Sequence, residues 1–372
     1  MLISAPDAYG MTPAETLAAR ADTDQPDGFE DFWREFREDC LSCPAHWHGP
    51  HEHRQPAGRN DDADPAGERA LVWISSVRSI GVAGDLWLPS PEPRAIVVVL
   101  HGAQAEDAFP AQPDAWFADN VASLRLRVRG YPPSTRDCGD LRAHWIRHGL
   151  EKPEAWILRG AVADVVQAVR GCRRVFGDAM PIIIRGDSLG GGLAIIAAGQ
   201  LAAMQHDEGR NVVSDRANET AEAIDAPASV DRMVIGLPSL GNWRWRAGRY
   251  CNGMGADINL FLEQLRAEAP TMLEQIRLFD AALHAPAVRC PVLTKLALCD
   301  DTVPAPSAAA VINALGSEHI FRHVVAFGHY DGGLADARRH VMFERLANDF
   351  IGNNFDARST AERVSAAADI SL

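Results

Sequence analysis

PIIIRGDSLGGG, residues 181–192, is an apolar, β-branched run that breaks abruptly into glycines around a single serine. Small, helix-compatible residues follow from Leu193 to Met204. The pattern reads as strand, sharp turn and helix, with Ser188 at the apex of a G-x-S-x-G elbow. Two glycines are needed for a steric reason. A serine held in a tight strand-to-helix turn leaves room for hydrogens, but not for side chains, on the neighbouring turns. Ser188 is therefore the candidate nucleophile. A Gly-rich helix entry would look the same over five residues, so the surrounding chain has to decide.

Upstream, Glu154 to Val175 has the spacing of an amphipathic helix, and Ala95 to Leu100 (AIVVVL) is a continuous apolar run, as a strand buried on both faces requires. That strand ends in His101-Gly102-Ala103-Gln104. Between these elements the pattern predicts a short helix from Asp114 to Asp119, a strand from Ala122 to Val128, and an irregular loop carrying Pro132, Pro133 and Gly139. Further back, strands are expected over Ala70 to Val77 and Ile80 to Leu88, the second ended by Pro89, Pro91 and Pro93. Residues 27–41 place Phe29, Phe32, Trp33 and Phe36 at helical spacing, and a Pro/Gly/Asp/His-rich loop follows from Cys43 to Gly67.

Downstream, residues 205–229 are polar and acidic, an expected surface excursion. Strands resume at Met233 to Leu237, Val292 to Leu298 and Ile320 to Ala326, and a helix spans Asp336 to Phe350. The block 241–285, with Trp243, Trp245, Tyr250, Phe261 and Phe279, reads as a helical lid whose tryptophans pack in the lid or stack on a sugar. The expected organisation is an N-terminal helical extension and loop (1–68), a mostly parallel, doubly wound α/β domain with flanking helices (69–352) and a flexible tail (353–372).

The chain has 372 residues, 47% of them hydrophobic, enough for a substantial core. Its 36 basic and 50 acidic residues give a net charge of -14, which argues against nucleic acid or an anionic membrane as partner. No secretory pattern opens the sequence, and no apolar run reaches the ~18 residues that span a bilayer. Seven cysteines, an odd number, read as reduced thiols, so a cytoplasmic location is expected.

A serine hydroxyl needs a base to take its proton, and the base needs a carboxylate to fix its tautomer. After the strand ending at Leu298 comes Asp300-Asp301-Thr302-Val303-Pro304; after the strand ending at Ala326 comes Phe327-Gly328-His329. The order Ser, Asp, His at successive strand ends is that of an α/β-hydrolase fold. Asp300 or Asp301 is the acid, with Asp300 preferred because D-x-x-V-P puts it at the strand tip. Backbone N–H groups of Leu189 and Ala103 are the expected oxyanion donors. The chemistry calls for neither metal nor organic cofactor, and the expected partner is a small-molecule ester.

The chain resembles the acetyl xylan esterase and cephalosporin C deacetylase family, carbohydrate esterase family seven, as a divergent member. The likeness runs over most of residues 27–350. It is carried by Phe29 to Trp33, His101-Gly102, Arg129-Gly130, Leu158-Arg159-Gly160 with Asp164, the elbow, Leu237-Pro238-Ser239-Leu240, Phe279-Asp280-Ala281-Ala282, and Asp300 to Ser307 followed by Asn313. The resemblance implies a serine carboxylesterase acting on short acyl, above all acetyl, esters of sugars or cephalosporin-like molecules. It places the triad acid at Asp300 and implies a homo-oligomer, the family often being hexameric. Three departures, Tyr131, Leu189 and Tyr330 in place of the family's Gln, Gln and Glu, bear on substrate preference and assembly rather than on the triad.

Other readings compete. A peptidase or thioesterase would use the same three residues, and a binding protein would keep the scaffold without the chemistry. Cys40, Cys43, His46, His48, His51 and His53 have short zinc-like spacing, although a solvated His-rich loop is the simpler reading.

Overall fold

The alternation of apolar residues along β5 (Ala95–Leu100) explains the architecture. Ile96, Val98 and Leu100 join one buried cluster, while Ala95 and Val97 join another. Successive side chains point to opposite faces of a strand, so a strand apolar at every position has helices on both sides. In this computed structural model, which describes residues 9–49, 55–56, 67–90, 92–211, 228–329 and 334–367, one layer holds α2 (Phe29–Ser42), α3 (Ile157–Phe176) and α4 (Leu189–Asn211). The other holds α10 (Leu334–Gly352) and α11 (Ala357–Ala367), with Phe343, Phe350 and Val364 against Val97, Ile183 and Leu293.

Between the layers the described residues form one ten-stranded sheet. Its strands are β1 (Trp47–His48), β2 (Gln55–Pro56), β3 (Gly67–Ser76), β4 (Ile80–Pro89), β5, β6 (Val121–Leu126), β7 (Ile182–Asp187), β8 (Arg232–Gly236), β9 (Val292–Ala297) and β10 (Ile320–Val325). The order is β1-β3-β4-β6-β5-β7-β8-β9-β10, with β2 also on β3; β5 to β10 are mutually parallel and the β1 to β4 end is antiparallel. The chain leaves β5 towards β6 and returns on its other side as β7. The switch point therefore lies between the C-terminal ends of β5 and β7, where Leu100 pairs with Gly186.

The remaining α-helices among the described residues are α1 (Pro13–Leu17), four between β8 and β9, namely α5 (Trp243–Arg246), α6 (Gly253–Leu265), α7 (Ala269–Arg277) and α8 (Ala281–His284), and α9 (Ala305–Ala314). The aromatic face of α2 closes on the end of this inserted block: Phe32 and Trp33 meet Phe279 edge-on at 5.4 and 5.3 Å, and the Trp33 indole N–H donates to Leu278 O.

Four expectations need correcting. The acidic excursion does not begin at 205, because α4 continues to Asn211; residues 212–227 of it lie outside the described residues. The tail is not flexible throughout: α11 forms within it, burying Thr360 and Val364. The segment 43–67 is not all loop, since β1 and β2 pair there with β3. The strand ending in a proline extends to Pro89, paired with Gly67. Among the described residues no helix is long and apolar enough to cross a membrane, and all seven cysteines are free thiols.

Candidate active site

Ser188 follows β7 directly and precedes the first residue of α4. Its φ of 56° places a non-glycine residue in the left-handed region, a strain that tight packing has to hold. The packing is visible in the glycines. A Cβ at Gly186 would fall 2.5 Å from the Gly190 carbonyl carbon, and one at Gly190 would fall 2.8 Å from Leu100 O. The turn is thus pressed against itself and against the end of β5. The Ser188 N–H donates to Gly236 O at 2.8 Å, tying the elbow to β8.

Asp300 lies beyond β9, buried with 1% of its surface exposed. Its Oδ1 accepts the N–H groups of Thr302 and Val303 at 2.9 and 2.8 Å, a local turn that fixes the carboxylate. Its Oδ2 lies 2.8 Å from Nδ1 of His329, beyond β10. A carboxylate only accepts, so Nδ1 carries the proton and Nε2 is left as the basic nitrogen. Asp301 is turned elsewhere: its Oδ2 accepts from Asn252 Nδ2 at 3.0 Å, linking the loop to the start of α6. Ser188 and His329 line one cavity of about 650 Å³.

The loop after β5 forms another wall of that cavity, with Gly102, Ala103 and Gln104. Tyr131 braces it. Its hydroxyl donates to Ala103 O at 3.1 Å, and its ring packs 4.4 Å from that of His101. His101 is structural: Nδ1–H donates to Gly102 O and Nε2 accepts from the Val128 N–H, while burial pushes its pKa down to about 4. The segment carrying Tyr131 is anchored by Arg129, whose backbone N–H and guanidinium both donate to buried Asp164 on α3. A Cβ at Gly160 would fall 2.5 Å from Arg129 Nη1, so glycine there makes room for the ion pair. Leu189, next to Ser188, opens α4, whose first N–H groups have no partner within the helix.

The remaining walls hold Asp187, Lys295 and Arg246, which sequence reasoning did not single out, and Trp243, which it placed in a lid. Asp187, Gly236 and Lys295 are in register on three adjacent strands, Asp187 paired with Gly236 and Gly236 with Lys295. Glycine in the middle lets the outer two meet: Lys295 Nζ lies 3.0 Å from Asp187 Oδ2, whereas a Cβ at 236 would fall 2.2 Å from Asp187 Oδ1. Burial opposes ionisation of Asp187, but Lys295 above all, with Arg185, holds it below the usual carboxylate range. Trp243 and Arg246 come from α5, whose entry is fixed by Asp280 accepting the Asn242 and Trp243 N–H groups at 2.8 and 2.9 Å. Trp243 lines the cavity and is nearly buried; Trp245 instead packs edge-on against Tyr9. No local pattern marks Asp187 or Lys295. Trp243 and Trp245 were expected to pack in the lid or stack on a sugar, and no pattern marked Arg246.

The acetyl xylan esterase (AXE1) family profile matches residues 12–208, more than half of the chain. The chain belongs to the acetyl xylan esterase family. Membership makes it a carboxylic ester hydrolase. Among solved structures, the acetyl xylan esterase from Paenibacillus sp. R4 superposes with a TM-score of 0.70 at 19% identity, covering 90% of this chain and 99% of that one. Acetyl xylan esterase 1 from Thermoanaerobacterium sp. JW/SL YS485 gives 0.67 at 17%, covering 90% and 98%. The Pyrococcus horikoshii acylaminoacyl peptidase gives 0.54 at 14%, covering 79% of this chain and 44% of the peptidase. At such identities these likenesses speak for the α/β-hydrolase fold. No curated protein sequence matches the chain.

Against the family pattern, Tyr131 is the brace on Ala103 and Leu189 is fully buried, while Tyr330 lies outside the described residues. Of the cysteine and histidine cluster, Cys40 is buried at the end of α2, His48 Nε2 lies 2.8 Å from Ser75 Oγ, and His51 and His53 lie outside the described residues. Among the described residues no group of three or more His, Cys, Asp or Glu side chains is arranged to hold a metal.

Proposed function

We propose that this member of the acetyl xylan esterase family removes short acyl groups, acetyl foremost, from hydroxylated small molecules such as acetylated sugars or cephalosporin-like esters, through a Ser188-His329-Asp300 acyl-enzyme mechanism. The observation that carries the reading is Ser188 at a strained apex, facing one cavity with a histidine that Asp300 holds by Nδ1.

In the first step His329 Nε2 takes the Ser188 proton as Oγ attacks the ester carbonyl. The tetrahedral oxygen gathers negative charge between the N–H groups of Leu189 and Ala103, each donor being worth ~2.7–4 kcal/mol of the barrier. Asp300 stabilises the imidazolium, which then protonates the departing alkoxide. Water, deprotonated by the same nitrogen, attacks the acyl-enzyme and releases the acid and Ser188. Side chains and backbone carry every proton and charge in this scheme. A cavity of about 650 Å³ holds far more than an acetyl group, so the excess suits the alcohol half.

The test is turnover of p-nitrophenyl esters of increasing chain length by the wild type and Ser188→Ala. The expected result is activity highest on acetate, falling with length, and absent in the variant. Equal rates in wild type and variant would sink the Ser188 mechanism. Turnover of acyl-peptide anilides but no ester would move the reading to a peptidase.

A further inference from the structure

Among the described residues, three sets of aspartate, lysine or arginine side chains stand at the catalytic cavity, and two are paired internally. Asp300 is paired with His329, and Asp187 with Lys295. Arg246 is the third. Only 3% of its surface is exposed, and its guanidinium stacks 4.8 Å from the Trp243 ring centroid. It lines the same cavity as Ser188 and His329. Yet among the described residues its guanidinium forms no ion pair and no hydrogen bond, and its Nε is buried without a partner. The space it occupies is made for it, since a Cβ at Gly255 on α6 would fall 2.3 Å from Nη2.

A guanidinium is always charged, and a buried charge without a counterion is costly. Folded proteins almost never leave one so unless something else brings the opposite charge. Asp301, the other carboxylate near this end of α6, accepts from Asn252. The planar face of Arg246 is covered by Trp243, which leaves the edge, with its forked donors, for an in-plane acceptor pair.

We propose that Arg246 is the anion-binding subsite of the catalytic cavity, and that the enzyme acts on esters whose alcohol half carries a carboxylate. The proposal rests on the ester-hydrolase reading. The acyl group occupies the position between Ser188 and the oxyanion donors, the alcohol half extends under α5, and its carboxylate accepts from the guanidinium edge. Arg246 then sets specificity through KM and kcat/KM without handling a proton.

The probe pair is 4-acetoxybenzoate and its uncharged methyl ester, with kcat/KM for each divided by its hydroxide-catalysed rate. The wild type should prefer the carboxylate by about tenfold or more, as a charge-assisted pair in a buried site gives. Arg246→Gln should bring the ratio to within about twofold of unity and Arg246→Lys to an intermediate value. The ratio cancels any general loss of activity. A wild type without the preference, or a Gln variant that keeps it, overturns the proposal. If Arg246→Gln does not fold, the wild-type ratio and the Lys variant decide. If the wild type hydrolyses neither ester, calorimetric binding of 4-acetoxybenzoate to Ser188→Ala separates the two readings. Binding weakened tenfold by adding Arg246→Gln keeps the anion site while the hydrolase reading fails; no binding overturns the site.

Discussion

Replacing Lys295 with methionine tests the most unusual feature of the site wall. Methionine keeps the length and the packing on Phe343, whose ring the ammonium approaches at 4.9 Å, and removes the charge. Asp187 would keep its burial and lose its main counterion. Breaking a fully buried pair by removing one partner costs about 3–5 kcal/mol. The Lys295 side chain is 6% exposed but that of Asp187 is 37% exposed, so water recovers part of this and about 2–3 kcal/mol is expected at pH 7. Urea unfolding followed by tryptophan fluorescence measures it. The paired Asp187, held below the ordinary carboxylate pKa, contributes stability above that pKa and loses it as pH falls through the folded value. In Lys295→Met only burial and Arg185 act strongly on the carboxylate, so its pKa rises. The gap between wild type and variant should then narrow as pH falls through that raised value, by at most ~1.4 kcal/mol per pH unit. Asp187→Asn added to Lys295→Met should recover most of the loss, because the stranded charge is gone. Catalysis should follow the same pattern, since an unpaired carboxylate in the cavity opposes the negative tetrahedral oxygen. A double variant no more stable than Lys295→Met would refute the electrostatic account and leave packing as the role of Lys295.

Three further outcomes follow from the site geometry. Asp300→Asn should lower kcat by about 10³–10⁴-fold by presenting the wrong His329 tautomer, whereas Asp301→Asn should change it less than about fivefold; a pre-steady-state acyl burst with p-nitrophenyl acetate distinguishes them. Tyr131→Phe removes the hydroxyl that holds the Ala103 carbonyl, and should cost about 1 kcal/mol in stability and several-fold in kcat with KM little changed, measured by unfolding and steady-state kinetics together. His284, buried with its pKa pushed down to about 4, is neutral in the fold but takes a proton near pH 6.5 when unfolded. Stability should therefore fall by up to ~3 kcal/mol as pH drops from about 6.5 to about 4, and a His284→Asn variant should show a flatter urea midpoint over that range.

The sequence showed most clearly what depends on local pattern. AIVVVL reads as a strand covered on both faces because each residue has a partner layer, and the elbow reads as an elbow because its glycines answer a crowding that is local to the turn. Ser188, Asp300 and His329 were legible together because each follows an apolar strand run, in an order the topology constrains. Asp187 and Lys295 were not, being 108 residues apart and brought together only by the register of β7, β8 and β9 with a glycine between them. Arg246 was not legible, since nothing in a sequence marks a cation as lacking its counterion. Helix α11 was missed because only Thr360 and Val364 are buried, too thin an apolar stripe to stand out from a polar tail.

The two kinds of legibility map onto two kinds of work. Ser188, Asp300, His329 and the segments carrying Ala103 and Leu189 are fixed at the ends of parallel strands, whose spacing is set by backbone hydrogen bonds and cannot drift without losing the sheet. Trp243 and Arg246 stand on a four-residue helix held by a buried Asp280, whose carboxyl is pushed up by burial even as three N–H groups donate to it. That arrangement can be re-formed by a few substitutions between β8 and β9 while every strand stays paired. Substrate choice in this chain should therefore move with the α5 segment, and grafting a neutral residue at 246 should change which ester is taken while Asp300 continues to hold His329 in place.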